Sequence, residues 1–297
     1  MRSIKHSIPL ILIIFILVIA APVASQSQTD TLKYHIETFD GNKYIGNIIE
    51  QDQEKIIFIT ANLGEISIKK SDIKKKHVLE EEKMKKGKYW MDNPQSTRYF
   101  FSPNGYGLKA GEGYYQNVWV MVNSFAIGLN DYISIGGGVI PIFLFGAEAT
   151  PVWFTAKASV PIKSDKFSIG GGILAGTILG EEDTGFGVLY GITTYGSKDN
   201  NVSLGLGYGF AGGEWAKSPM INLNIMLRTG AKGYFISENY FIQAGDESAL
   251  IISAGGRYII KEAGLDYGLI IPLFSEMETL IAIPWLGITI PFVNNTN

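Results

Sequence analysis

No cysteine occurs among the 297 residues, which excludes a disulfide framework, a thiolate metal site, a cysteine nucleophile and lipid attachment through a thiol. Histidine is almost as scarce: the chain has three, His6, His35 and His77, so nothing after residue 77 can supply an imidazole base. The formal net charge of -3 gives no reason to expect a nucleic-acid partner. Long apolar runs are lacking too, with one exception at the start. Arg2, Lys5 and His6 precede the run Ile8 to Ala20, and Pro22-Val23-Ala24-Ser25 follows it. That run is shorter than the ~20 residues a spanning helix needs, so residues 1–25 read as a signal peptide cut before Gln26. A chain exported in this way, with no second run of that length, could enter a membrane only by β-strands.

What the chain has in excess is glycine, 35 residues, much of it in a repeating unit. A polar turn leading into a Ser-Gly strand occurs at Asn130 to Gly138, at Ser164 to Gly172 and at Asp199 to Gly207. The serines fall at 134, 168 and 203, a spacing of about 34 residues that suits one long β-hairpin with its connections. Read at period two, Val202, Leu204, Leu206, Tyr208 and Phe210 share one face, while Ser203, Gly205, Gly207 and Gly209 share the other. A soluble sheet would carry Lys, Glu and Thr on its wet face. Here the small face has almost no side chain, which predicts a barrel turned inside out, with bulky residues toward lipid and Gly, Ser and Asn toward a narrow lumen. A soluble exported lipocalin-like barrel is the alternative.

Residues 26–79 differ in texture, with short alternating segments, frequent charges and tight turns. Leu32 to Phe39, Lys43 to Glu50, Ile56 to Thr60 and Glu65 to Lys69 are expected strands, joined by turns such as Asp40-Gly41-Asn42. The turn spacing and Gly46 in the second strand resemble a small SH3-like or Sm-like barrel, which implies a module that binds a partner, plugs or adapts. Lysines crowd residues 69–88, and the Glu81/Lys85 and Glu82/Lys86 spacings predict a short solvated helix within a charged linker, residues 80–97. Docking of these lysines on anionic phospholipid is the functional alternative to a plain linker. Asn93-Pro94 ends this stretch.

The segment 98–292 is expected to hold about 12 antiparallel strands, near 98–108, 114–129, 132–144, 150–162, 166–178, 186–196, 201–211, 218–228, 233–243, 249–260, 264–272 and 280–292. Short connections, such as Asn130-Asp131 and Lys163 to Lys166, alternate with longer acidic ones, such as Gly180 to Gly185 and Phe274 to Thr279. In the last strand Leu286, Ile288, Ile290 and Phe292 alternate and end on an aromatic residue, before a tail of residues 293–297. In this texture the region resembles the outer-membrane β-barrel superfamily. The resemblance implies an all-β up-and-down transmembrane barrel in the outer membrane, lipid as its surroundings and insertion machinery that reads Phe292. It also implies a periplasmic place for the N-terminal module, facing a protein or cell-wall partner.

Candidate chemistry is thin. Barrel enzymes of the phospholipase and omptin types need histidine, and the barrel region has none, so no catalytic residue is assigned. No cofactor or metal ligand is assigned either: Glu181-Glu182-Asp183 and Asp246-Glu247 read as solvated loop tips rather than acid/base pairs or calcium ligands. The lumen-facing charges are more informative. Arg257 and Asp266 fall on one face of a hairpin at a diagonal offset and are expected to pair, with Lys157, Asn222 and Asn224 in the same lumen network. Val118, Val120 and Val122 are expected to make part of the inner face apolar. Three functions follow as alternatives. The first is a non-enzymatic structural or interaction barrel, or a narrow porin-like channel. The second is a transport or binding protein for a small, possibly apolar molecule. The third is an outer-membrane enzyme, disfavoured by the histidine usage.

Overall fold

The structure, a computed structural model, describes residues 32–79, 83–85, 88–146, 148–244, 247–274 and 279–293. The expected signal peptide lies outside these residues. The chain divides into two compact units, Met1–Met84 and Lys85–Asn297.

The first unit is a five-stranded antiparallel sheet: β1 Lys33–Thr38, β2 Lys43–Gln51, β3 Lys55–Thr60, β4 Gly64–Lys69 and β5 Ile73–Leu79, in the order β4-β3-β2-β1-β5. Alternation sets its inner face, where Tyr34, Ile36, Ile48, Ile56, Phe58 and Ile68 form the core. Two features bend the sheet across β2. At Gly46 a Cβ would sit 1.8 Å from the Ile59 carbonyl oxygen, so only glycine allows that approach. The register also shifts between Ile48 and Glu50, which places a bulge three residues on. The lysine-rich segment Ile73–Leu79, with Lys74, Lys75 and Lys76, is a fifth strand laid against β1, and in the linker, where a short helix was expected, Met84–Lys85 is extended. The free edge of β1 offers backbone hydrogen bonds to this segment. Glu81, Glu82 and Lys86 lie outside the described residues. Lys74 instead meets Glu37 across the strands at 3.3 Å.

The second unit is all-β and holds a closed 12-strand antiparallel barrel. Its strands are β6 Glu112–Val118, β7 Val122–Gly128, β8 Ile133–Val139, β9 Thr150–Lys163, β10 Phe167–Leu179, β11 Phe186–Gly196, β12 Asn201–Ala211, β13 Met220–Arg228, β14 Gly233–Ala244, β15 Glu247–Ile260, β16 Ala263–Phe274 and β17 Ile283–Val293. Each pairs with the next, and β17 closes on β6 from Gly287↔Val118 to Val293↔Glu112. A two-residue spur, Glu214–Trp215, folds back on the end of β12. The expected strand number coincides with the observed one, although two of the expected strands are wrong. Residues 98–108 form no barrel strand, and the single strand expected over 114–129 is the hairpin β6–β7. Its turn puts Trp119 and Val120 at φ 52° and 65°. The Gly-free sequence of that turn hides it, because both residues there take a left-handed conformation that glycine or asparagine usually fills. Val120 is therefore an exposed turn tip rather than an inner-face residue.

The two faces sort as the alternation requires. In β12, Asn201, Ser203, Gly205 and Gly207 are buried, while Val202, Leu204, Leu206 and Tyr208 are exposed. Apart from residues that begin or end a strand, the charged residues of the described barrel strands are Lys157, Glu238, Arg257 and Asp266, and all four belong to the interior. Exposed aromatic residues gather near both strand ends: Tyr195, Phe235, Tyr258 and Phe292 at one, and Tyr208, Phe241 and Phe274 at the other. At the first end lie the short connections 129–132, 164–166, 197–200, 229–232 and 261–262, along with both ends of the barrel. The longer connections 140–149, 180–185, 212–219 and 275–282 lie at the other end.

Candidate functional site

The inward residues of a 12-strand barrel leave space that their own side chains do not fill, and residues 93–108 occupy one part of it. This segment alternates poorly, carries Pro94, Pro103 and Gly105, and cannot form a regular strand. Its backbone polar groups are nevertheless buried, so the barrel wall must satisfy them. Gln95, Thr97, Tyr99, Phe100, Ser102, Asn104 and Tyr106 are all buried.

Among the wall groups that hold the segment, four stand out. The first is Arg257, fully buried, whose Nε and Nη2 reach the Asp266 carboxylate at 2.6 and 2.8 Å. Its remaining donors go to the inner segment: Nη1 to the Gln95 carbonyl at 2.7 Å and Asn93 Oδ1 at 3.0 Å, and Nη2 to Gln95 Oε1 at 2.9 Å and the Tyr99 carbonyl at 2.8 Å. A planar guanidinium with five fixed donors suits this clamp, and a lysine could not reproduce it. Arg257 and Asp266 stand directly opposite each other across β15 and β16, closer than the diagonal offset expected from the sequence.

The second group is Glu238. One of its oxygens accepts the backbone N–H groups of Phe100, Phe101 and Ser102 at 2.9, 3.0 and 3.0 Å, and the other accepts the Tyr240 hydroxyl at 2.7 Å. Three successive amides converging on one carboxylate oxygen form a concave anion cradle that fixes the loop's path. The third group is the repeat serines and their neighbours. Ser168 donates to the Gly105 carbonyl at 2.6 Å, Ser203 bonds the Tyr99 hydroxyl at 2.6 Å, and Thr194 accepts the Gly105 N–H at 2.7 Å. A Cβ at Gly105 would lie 2.6 Å from the Ser168 carbonyl oxygen, so the segment can lie this close to β10 only with glycine there. The fourth group is Lys157, which donates to the carbonyls of Thr97 at 3.4 Å and Tyr106 at 2.5 Å.

All five residues expected in a lumen network therefore face the interior, but they do not form one network. Asn222 and Asn224 both donate to Ser102 Oγ, at 2.6 and 3.1 Å, Lys157 meets two carbonyls, and only Arg257 and Asp266 pair with each other. What joins them is the inner segment, which sequence reading had placed in the wall. Glu238 was missed as well; the available signal was an acidic residue at an inward position of β14, opposite Asn224 and Ser253. At the short-turn end, Arg228 holds the incoming chain, donating to the Met91 carbonyl at 2.5 Å while pairing with Asp199 at 2.7 Å and lying over the Trp90 ring.

Toward the long-loop end the interior changes character. A cavity of about 630 Å³ lies there, walled mainly by apolar side chains such as Trp153, Leu174, Val188, Met220, Ile242 and Trp285. Val118 and Val122 belong to this wall as expected. Its polar members include Arg98, Lys157, Asn222 and Glu238, where the cavity meets the inner segment. Among the described residues no cluster of three or more His, Asp or Glu could hold a metal ion. Glu181, Glu182 and Asp183 are exposed in a loop, and Asp246 lies outside the described residues. His35 is not solitary: its register neighbour across β1 and β5 is His77. Phe292 faces outward near the end of β17.

No family model matches the chain, and no curated protein does. Among solved structures, a chain described as KdgM porin is similar in fold, with a TM-score of 0.44 and 12% identity over 60% of this chain and 97% of that one.

Proposed function

We propose that the chain is an exported outer-membrane barrel of the binding or transport class, which admits a small apolar molecule from the long-loop side and is closed by residues 93–108 on the periplasmic side. The supporting observation is the division of the lumen into an apolar cavity and a hydrogen-bonded seal. The membrane reading is supported by an apolar outer wall with aromatic girdles and, among the described residues, no outward-facing charge between the strand ends. A lipocalin-like barrel in water would leave that wall unsolvated, with far more contiguous apolar surface than soluble monomers expose. Phe292 serves as the insertion signal in this reading.

The chain enters the barrel where Arg228 holds Met91, at the short-turn end, which favours a periplasmic N-terminal module. The strand order β4-β3-β2-β1-β5 of the first sheet, with the close approach at Gly46, favours the SH3-like or Sm-like reading of that module and hence a protein or cell-wall partner. The absence of histidine after residue 77 favours a non-enzymatic role.

The test pairs conductance with binding. In planar bilayers the protein should show no steady conductance, and in phosphatidylcholine nanodiscs it should retain uncharged decanol, with retention lost in a Leu174→Trp/Val188→Trp variant that fills the cavity. Steady conductance without decanol retention would favour the second reading, a narrow channel, for which the inward polar residues Ser134, Ser168 and Ser203 are the motivating observation.

A further inference from the structure

Two basic side chains border the apolar cavity, and among the described residues neither forms an ion pair. Arg98, on the inner segment, makes a single side-chain hydrogen bond, a long one of 3.3 Å from Nη1 to Gln116 Oε1, and lies 5.5 Å from the Tyr114 ring centre. Its Nε and Nη2 donors have no acceptor. Lys157 meets only carbonyl oxygens. The nearby carboxylate, Glu238, is engaged by three amides and the Tyr240 hydroxyl, and among the described residues no ion pair joins it to Arg98 or Lys157. Spare donors on Arg98 open to an apolar chamber, beside a lysine, suit a group that completes them.

We infer that the cavity binds an amphiphile with a single anionic head, a carboxylate in the simplest case, with the head on Arg98 and Lys157 and the aliphatic tail along Trp153, Leu174, Val188 and Ile242. The forked donors of Arg98 match a carboxylate with two parallel hydrogen bonds. A cavity of about 630 Å³ has room for a medium-length chain. Lys157 is engaged by the Thr97 and Tyr106 carbonyls, so Arg98 is the group whose spare donors select the head. The inference rests on the binding role proposed above and specifies its ligand.

The test is equilibrium dialysis of the full-length protein in phosphatidylcholine nanodiscs at pH 8, against radiolabelled decanoate and, separately, decanol, with protein-free nanodiscs as the blank. Decanoate should bind at least tenfold more tightly than decanol. Arg98→Gln should remove that preference and leave decanol retention as it was, while Arg98→Lys should keep part of it. The faster migration of the unboiled band should be unchanged in both variants, which checks that the barrel is intact. Decanoate held no better than decanol, or a preference unaffected by Arg98→Gln, overturns the anionic-head assignment while leaving apolar binding in place. Failure to retain either probe overturns both.

Discussion

The two units bury opposite things. In the N-terminal sheet Ile36, Ile56 and Phe58 are inside and lysines are outside. In the barrel Ser168, Thr194, Asn224 and Arg257 are inside, and leucines and phenylalanines are outside. Burial is governed by the surrounding medium, so one chain carrying both patterns is made for two media. The first pattern suits water. The second leaves the barrel a mixed interior, where a small apolar cluster around Tyr99, Phe100, Met226, Ile236, Ile259 and Trp285 is joined by hydrogen bonds between the wall and the inner segment.

That difference can be broken from either side. The largest effects are expected from Phe58→Ala and Asp266→Ala. Truncating Phe58 empties the small core and should cost the N-terminal unit about 3–5 kcal/mol, with the gel mobility of the unboiled barrel unchanged. Removing Asp266 leaves Arg257 buried without its carboxylate and should cost the barrel about 3–5 kcal/mol, read as a lowered urea midpoint in lipid. An unaltered midpoint would remove the ion pair from the account.

Next comes a pair of matched arginine substitutions at exposed apolar positions. Leu206→Arg, mid-strand on the barrel wall, should cost about 2–4 kcal/mol in a bilayer. Ile45→Arg, exposed on the N-terminal sheet, should stay within about 0.5 kcal/mol. Equal effects would mean that both surfaces meet the same solvent.

Glu238→Gln probes the seal. Loss of the charge that gathers three amides should weaken the inner segment's hold by about 1.5–3 kcal/mol, seen as protease cleavage within residues 93–108 and as flickering conductance. A variant as silent and as protease-resistant as the parent would show that Glu238 does not hold the segment.

The smallest effect separates the units by acid. Asp52, in an exposed turn, is held below the usual carboxylate value of 3.8 mainly by the backbone N–H of Lys55 and then that of Glu54. Asp40 is likewise lowered, first by the Thr38 hydroxyl. A carboxylate whose folded value is depressed adds stability that is present above its unfolded value and lost as pH falls through the folded one. The N-terminal sheet should therefore loosen slightly below pH 3.8, and Asp52→Asn should flatten that slope. An identical acid profile in the variant would discount this turn.

The alternation of small and bulky residues made the wall legible, since Val202 to Phe210 leaves no other use for its two faces. The hairpin at Trp119 and Val120 was illegible because its turn lacks glycine. The inner segment was misread for a deeper reason: Tyr99, Phe100 and Tyr106 look like strand residues, and only the partners supplied by Glu238, Arg257 and Ser168 show that they lie within the barrel. An inward charge signals that a partner exists but not which part of the chain provides it. Arg257 and Asp266 could be matched because a tight hairpin brings them together, whereas the match between Glu238 and the amides of residues 100–102 spans most of the barrel sequence.

The measurement that tests the lipid-facing barrel most directly is fractionation of cells expressing the full chain, with alkaline washing of the membranes and electrophoresis of boiled and unboiled samples. The protein should remain in the outer-membrane pellet, and its unboiled band should run faster than its boiled one. Release into the alkaline supernatant, with identical mobility before and after boiling, would contradict it.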